Sequence, residues 1–404
     1  MDLIYKFLKQ VKKIGLYPST PKLMSPHAPE VIIDGRKVLM FATNNYLDLM
    51  TDSRVIRAAI EGTKRWGIGN GSARLLTGNL EIHGELEQAI AKFKHRESAL
   101  TFVSGYMANE GAIPAITNVI QPSIASFLTG SIKRTKGSII FSDEYNHASI
   151  IAGVRLSDCH KEIYRHVDMD DLEARLKKYS KRDRKIIISD GVFSMDGDVA
   201  PLPTIVELAK KYHALVYLDD AHATGVLGKN GRGLEEFFNI ENSVDIVMGT
   251  FTKAFGGVGG FIGGSQELID YLKITANTFI FTAPIAPPIV CGLIRSIQIA
   301  DTENWRREAV INNAAYLREK LKEEGFNTGN STTQIIPLMI GEEKKAVAVS
   351  NLLLQKNIFI PAARWPAVPS GAARLRMTVS CAHTKSQIDF LVKNIKHVRE
   401  KIKF

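Results

Sequence analysis

The chain has 404 residues, 45% of them apolar and 23% charged, which excludes a wholly disordered, collagen-like or coiled-coil protein and predicts two domains or one large α/β unit with a satellite. Three cysteines, Cys159, Cys291 and Cys381, are too few and too widely spaced for a disulfide scaffold or a zinc ribbon, and they suit a reducing compartment. The net charge of +10 invites an anionic partner, but the basic residues lie in short runs such as Lys12-Lys13, Lys177-Lys178 and Lys344-Lys345. That spread reads as a solvated surface or an approach to a phosphate-rich ligand, not as a nucleic-acid face.

In chain order, Ile4, Phe7, Leu8 and Val11 recur at helical spacing, with Lys6, Lys9, Lys12 and Lys13 between them. This predicts a helix over 3–14 packed on the body, with a helix lying on anionic lipid as the alternative. Asp2, Lys6 and Lys9 argue against a secretory signal, so the expected location is the cytoplasm. Prolines 18, 21, 26 and 29 mark an extended linker, and the apolar runs on either side of Asp34-Gly35 predict a hairpin. Between about 50 and 285, helical stretches such as 84–96 and 203–213 alternate with short apolar runs at 138–141, 185–188, 214–218, 244–248 and 260–262. That alternation predicts a mainly parallel sheet with helices on both faces. The uncharged stretch 277–294 contains Pro284, Pro287 and Pro288 and is expected to be a buried, turning segment, not a membrane helix. Beyond it, helical 303–325, strand-like 335–340, helical 344–356, a proline-rich strand region at 358–380 and a helix at 385–402 predict a smaller α+β unit. The expected division is an arm at 1–45, a large domain at 46–288 and a small domain at 289–404.

Several strand candidates end in polar residues: Ser142-Asp143 with His147, Ser189-Asp190 with Ser194, Asp219-Asp220, and Gly249-Thr250 with Lys253. In open α/β sheets ligands bind beyond the carboxyl ends of the strands. Gly256-Gly257-Val258-Gly259-Gly260 does not satisfy the dinucleotide fingerprint, no Walker A sequence exists, and no histidine–cysteine spacing suggests a metal. Lys253 follows a buried run and is flanked by threonines and glycines, so its ammonium loses hydration unless it is paired or neutralised. A surface lysine on a turn is the plain alternative. A lysine so placed suits imine chemistry, which needs a depressed pKa and a shielded pocket. Asp219, at the tip of the neighbouring strand, supplies the carboxylate that pyridoxal 5'-phosphate needs beside its ring nitrogen. Gly105-Tyr106 before a helix, together with Thr250, offers donors for a phosphate.

Asp219-Asp220-Ala221-His222-Ala223-Thr224-Gly225, Gly231-Arg232-Gly233 and Thr250-x-x-Lys253-x-x-Gly256-Gly257 resemble the α-oxoamine synthases. So do Asn44-Asn45-Tyr46-Leu47, Ser104-Gly105-Tyr106, Asn146-His147-Ala148-Ser149 and Phe193-Ser194-Met195-Asp196-Gly197. The resemblance runs from about residue 38 to 395 and implies a pyridoxal-phosphate enzyme of the aspartate-aminotransferase-like fold, fold type I. It implies that Lys253 binds the cofactor as an imine and moves the substrate's α-proton. Asp219 then pairs with the pyridine nitrogen, His222 contacts the phenolic oxygen, with Ser194 near it, and His147 stacks on the ring. Gly105, Tyr106 and Thr250 hold the phosphate, joined by Thr282 from a partner subunit. Arg376 clamps the amino-acid carboxylate, with Asn44 at the same end.

The implied reaction is a decarboxylating condensation of a small amino acid with an acyl thioester, on coenzyme A or a carrier protein, in a homodimer with shared sites. Arg364-Trp365-Pro366-Ala367-Val368-Pro369 and Tyr164-Arg165-His166-Val167-Asp168-Met169 resemble the branch that joins alanine to a pimeloyl thioester, forming 8-amino-7-oxononanoate in biotin synthesis. Branches that use glycine, serine or a longer acyl chain are the nearest alternatives, and an aminotransferase or aldolase is a more distant one. The chain departs from the family pattern at Asp48, where glycine is usual, at Trp365 and Ala367, and in about a dozen extra residues between Pro114 and Gly137. These departures bear on acyl specificity. Neither nucleic acid nor membrane is an expected partner.

Overall fold

The computed structural model describes residues 1–13, 17, 21–119 and 137–404; most of the extra segment, residues 120–136, lies outside the described residues. The first helix, α1 (Asp2–Lys13), forms as its periodicity dictates but buries none of its residues. Leu3 is 82% exposed and Phe7 63%. The expectation that this helix packs on the body is therefore corrected. The apolar stripe meets no complementary surface among the described residues of its own chain. β1 (Glu30–Ile33) and β2 (Arg36–Met40) pair antiparallel around Asp34-Gly35, both residues having positive φ, as the tight turn requires.

The middle of the chain builds a seven-stranded sheet, because short runs that are buried at its centre can satisfy their backbone groups only side by side. Its strands are β3 (Ser98–Phe102), β4 (Ile139–Asp143), β5 (His160–Tyr164), β6 (Lys185–Asp190), β7 (Ala214–Asp219), β8 (Ile246–Thr250) and β9 (Gly260–Gly264). The order is β3-β9-β8-β7-β6-β4-β5, and only β9 runs against its neighbours. Alternation along a strand sends neighbouring side chains to opposite faces. In β6, Ile187 enters one core with Leu86, Phe93 and Leu218, while Ile186 and Ile188 enter the other with Ala108, Ile113 and Tyr217. Helices cover both faces. They include α2 (Ser53–Trp66), α3 (Glu81–Phe93) and α4 (Gly105–Thr117).

The uncharged stretch does turn, at 281–286, but Pro287 and Pro288 then open a helix, Pro287–Thr302. Proline at the first helical positions costs no backbone bond, because those N–H groups have no intrahelical partner. Val290, Leu293 and Ile297 of this helix join the core beside the large sheet. The remaining chain forms an antiparallel sheet of β10 (Ile335–Gly341), β13 (Ala373–Thr378) and β12 (Ala362–Ala363), while β11 (Ile358–Phe359) joins the N-terminal hairpin. The helices Asn304–Glu323, Glu343–Gln355 and Lys385–Lys401 pack a third core against them.

Candidate active site

The carboxyl ends of β6, β7 and β8, which run side by side, face the N-terminus of α4 across a cavity of about 220 Å³. Asn44, Gly105, Tyr106, His147, Asp219, His222, Thr250 and Lys253 all line it. Ser194 does not; it lines an adjoining groove of about 540 Å³ that has His147 in common with the cavity. Arg376, on β13, reaches the cavity rim through Asn44 Oδ1, at 3.4 Å from each terminal guanidinium nitrogen, and donates from Nε to the Ser194 carbonyl. Thr282 is not brought to the cavity of its own chain; its hydroxyl donates to the Thr278 carbonyl in the turn before the helix Pro287–Thr302.

Asp219 is 3% exposed. Its Oδ2 accepts from Asn109 Nδ2 at 2.8 Å and its Oδ1 from the Ala221 amide at 3.1 Å. Asn109 is fixed in turn by Tyr217, whose hydroxyl donates to Oδ1 at 2.6 Å. Lys253 is half-buried, and burial lowers its pKa to about 8; Asp219 and Asp190 oppose that fall and Arg376 adds to it. Burial also pushes Asp190 well up, reinforced by the Asp219 charge, although its Oδ2 accepts the His147 amide at 2.6 Å. His222 is held well below the ordinary histidine range by burial and by the nearby Lys253 and Arg376 cations. Its Nδ1 lies 2.8 Å from the Tyr46 hydroxyl. His147 caps the helix Ala148–Leu156 and is also held low by burial, so both imidazoles are neutral at pH 7.

Sequence reasoning named the lysine, the aspartate and the histidines but missed Asn109 and Asp190 as site residues. The sequence shows Asn109 as a lone polar residue among Ala108, Ala112 and Ile113, one turn after Gly105, which marks a polar group on an apolar helix face but not its partner. Asp190 stood out only as a strand-end polar residue. Asp48 has φ +53, in the left-handed region, which explains why glycine suits that position elsewhere; here Asn45 Nδ2 donates to its carboxylate at 3.2 Å.

A pyridoxal phosphate fits these residues. The donor set is an amine of lowered basicity, a buried carboxylate and a helix N-terminus in one cavity. Ser104 caps α4 through the Met107 amide at 3.1 Å, and the Gly105 and Tyr106 amides are among those a helix leaves for an anion. A Cβ at Gly105 would stand 3.3 Å from Thr250 Oγ1, so glycine lets α4 approach β8 closely enough to share one ligand. Among the described residues no group of three or more His, Cys, Asp or Glu is arranged to hold a metal ion.

The aminotransferase class I and II profile matches residues 36–395. The chain is 44% identical over 403 residues to the 8-amino-7-oxononanoate synthase of Thermoanaerobacter pseudethanolicus, covering 100% of this chain and 98% of that protein. The chain belongs to the α-oxoamine synthase family. Serine palmitoyltransferase from S. paucimobilis superposes with a TM-score of 0.90 at 30% identity, covering 99% of this chain and 97% of that one. The 8-amino-7-oxononanoate synthase of Francisella tularensis has the same fold, with a TM-score of 0.75 at 24% identity over 91% of this chain and 99% of that one. Family membership makes this a pyridoxal-phosphate-dependent acyltransferase of fold type I, acting on an amino acid and an acyl thioester.

Proposed function

We propose that the chain condenses alanine with a pimeloyl thioester, coenzyme A being the thiol, to give 8-amino-7-oxononanoate, carbon dioxide and free thiol. One juxtaposition carries the reading: the cavity that holds Lys253 and Asp219 shares His147 as a wall with a groove lined by Ile151, Phe193, Met195 and Val368. An amino acid held in the first meets an acyl chain lying in the second. The 44% identity to the Thermoanaerobacter enzyme supports alanine and pimeloyl as the pair.

Bound pyridoxal phosphate supplies the electron sink that stabilises charge on the amino acid's α-carbon. The chain does the rest. Lys253 would hold the cofactor through Nζ and would take the substrate's α-proton on the same atom; its lowered pKa lets it be neutral for that task. Asp219, kept in place by Asn109, would hold a proton on the pyridine nitrogen. The Gly105 and Tyr106 amides and Thr250 bind the phosphate. His147 would cover the cofactor's ring and His222 would contact its phenolic oxygen, with Ser194 in the adjoining groove. Arg376 binds the amino-acid carboxylate, steered by Asn44. The α-carbon attacks the acyl carbon and the thiol leaves. The new β-keto acid then loses carbon dioxide, because its ketone provides a second electron sink.

The site is completed in a homodimer by Thr282 of the second copy. Supporting this, Phe281 is 77% and Ile68 79% exposed. The loops that carry them are tied together by Asn70, whose Nδ2 donates to the Pro284 carbonyl at 2.9 Å. Large apolar side chains left exposed on tied loops suit a subunit contact. The division into 1–45, 46–288 and 289–404 is part of this proposal, although the helix Pro287–Thr302 runs across its second boundary and packs on the core of the large sheet. The free Cys159, Cys291 and Cys381 accord with the cytoplasm.

The likeness to serine palmitoyltransferase supports a second reading, serine with a longer acyl chain. Thiol release from a panel of acyl-CoAs, each with alanine, glycine or serine, separates the two. Release confined to alanine with pimeloyl-CoA is the expected result. Release confined to serine with a long-chain donor would replace the first reading by the second.

A further inference from the structure

A half-buried histidine outside the cofactor cavity has no part in the chemistry above. His166 follows β5 in a tight turn and is bracketed by two carboxylates: Nδ1 lies 3.0 Å from Asp143 Oδ1 and Nε2 lies 2.9 Å from Asp198 Oδ2. Burial alone would lower its pKa, but the two carboxylates outweigh that and hold it up at about 10. Both ring nitrogens are therefore donors at neutral pH.

Each contact ties down a different loop. Asp143 ends β4 and also accepts the Tyr145 amide at 2.8 Å and the Val167 amide at 2.9 Å. Asp198 closes the 193–198 turn, where its carbonyl accepts the Phe193 amide at 3.1 Å. Among the described residues the second oxygen of Asp198 finds no hydrogen-bond partner, so the His166 cation is the main compensation for that carboxylate. The imidazole stacks on Tyr145, with centroids 4.3 Å apart and the planes at 21°, and meets Phe193 edge-on at 4.4 Å. Val167 takes φ +47, unusual for a β-branched residue, and the bond from its amide to Asp143 holds the turn that aims His166 inward.

Tyr145 and Phe193 are walls of the 540 Å³ groove, and the two loops also carry His147, Ser194 and Met195 into it. The far side of the 193–198 turn is fixed by Arg374, paired with Asp196, and by Arg376 on the Ser194 carbonyl. The near side is fixed by His166.

We propose that His166 is a positioning residue for the acyl donor: its cation joins the 143–147 and 193–198 loops and sets the spacing of the Tyr145 and Phe193 walls between which the acyl chain lies. This rests on the condensation proposed above. The 143–147 loop is also held by the His147 amide on Asp190, but His166 is the side chain that contacts Asp143, Asp198, Tyr145 and Phe193 together, so loosening it affects donor binding first.

The test uses the pyridoxal-phosphate-loaded enzyme and the variants His166→Gln and Asp198→Asn. The readouts are KM for the acyl-CoA, kcat, and the alanine concentration that half-saturates the cofactor's absorbance change. His166→Gln is expected to raise KM for the acyl-CoA about 10- to 100-fold, since small misplacements of positioning groups cost that much, while alanine binding shifts by less than about twofold. Asp198→Asn keeps the Asp143 contact and is expected to fall between the two; it is read alone where the His166 variant does not fold. An unchanged acyl-CoA KM in a folded variant overturns the inference, as does an equal loss of alanine binding. Wild-type enzyme that releases no thiol with any acyl-CoA overturns the functional reading itself, a result distinct from both.

Discussion

At the scale of single residues, the chemistry depends on how burial sets the protonation of Lys253. Desolvation lowers its pKa to about 8 from an ordinary lysine value. Only the neutral amine can attack the cofactor's carbonyl. The sign follows: a base of depressed pKa has less proton to shed, so the competent fraction rises with pH through about 8 and is level above it. Stopped-flow absorbance of cofactor uptake by the apoenzyme is expected to show that rise. A rate still climbing steeply above pH 9 would contradict it. Asn109 is the second residue with a definite expectation. A hydrogen bond to a charged group contributes about 1.5–3 kcal/mol, so Asn109→Leu should lower kcat roughly 10- to 100-fold with alanine binding little changed. Steady-state kinetics with a thermal-unfolding control checks it. These two positions also show what the sequence makes legible. Lys253 and Asp219 stand in motifs at strand ends, so their gathering can be anticipated. Asn109 acts through contacts with Ser149, Tyr217 and Asp219, which are remote in sequence, and no local pattern encodes that meeting.

At the scale of elements, strand ends are useful only if the helices beside them are held in register. Lys94, just past α3, donates to Asp220 Oδ2 at 2.6 Å and to Thr224 at 3.2 Å, and it also contacts the Arg232 carbonyl. The pair is almost wholly buried, with side chains 3% and 1% exposed. It clips the end of α3 to the loop that follows Asp219. Removing one partner leaves an uncompensated buried charge, so Lys94→Met is expected to cost about 3–5 kcal/mol of stability in urea unfolding. A loss below about 1 kcal/mol would assign the loop's position to packing instead. The parallel sheet and its helices were readable because buried strands and amphipathic helices have different periods. The helix Pro287–Thr302 was less readable, since its opening prolines signal a turn and an N-terminus equally well. The position of α1 was unreadable: its stripe demands burial but does not say against what.

At the scale of the whole molecule, Thr282 provides a test of the shared site. It lies away from its own cavity, and the proposal assigns it to the partner's phosphate. Lys253→Ala and Thr282→Asp are each expected to lose most activity, the first by removing the amine and the second by setting a like charge against the phosphate. In a mixed dimer one site collects both defects and the other is intact. Co-refolding the two inactive variants should therefore restore activity, approaching half the wild-type rate per mixed dimer, as site counting requires. Absence of any recovery would place Thr282 within its own subunit's function.

Joining of an amino acid to an acyl thioester with loss of the amino acid's carboxylate leaves an isotopic signature. Alanine labelled with ¹³C at its carboxyl is turned over with pimeloyl-CoA, and the product mass and released gas are measured together. One labelled carbon dioxide per thiol released and an unlabelled aminoketone are expected. Label retained in the product, or pyruvate formed without thiol release, would contradict that reaction.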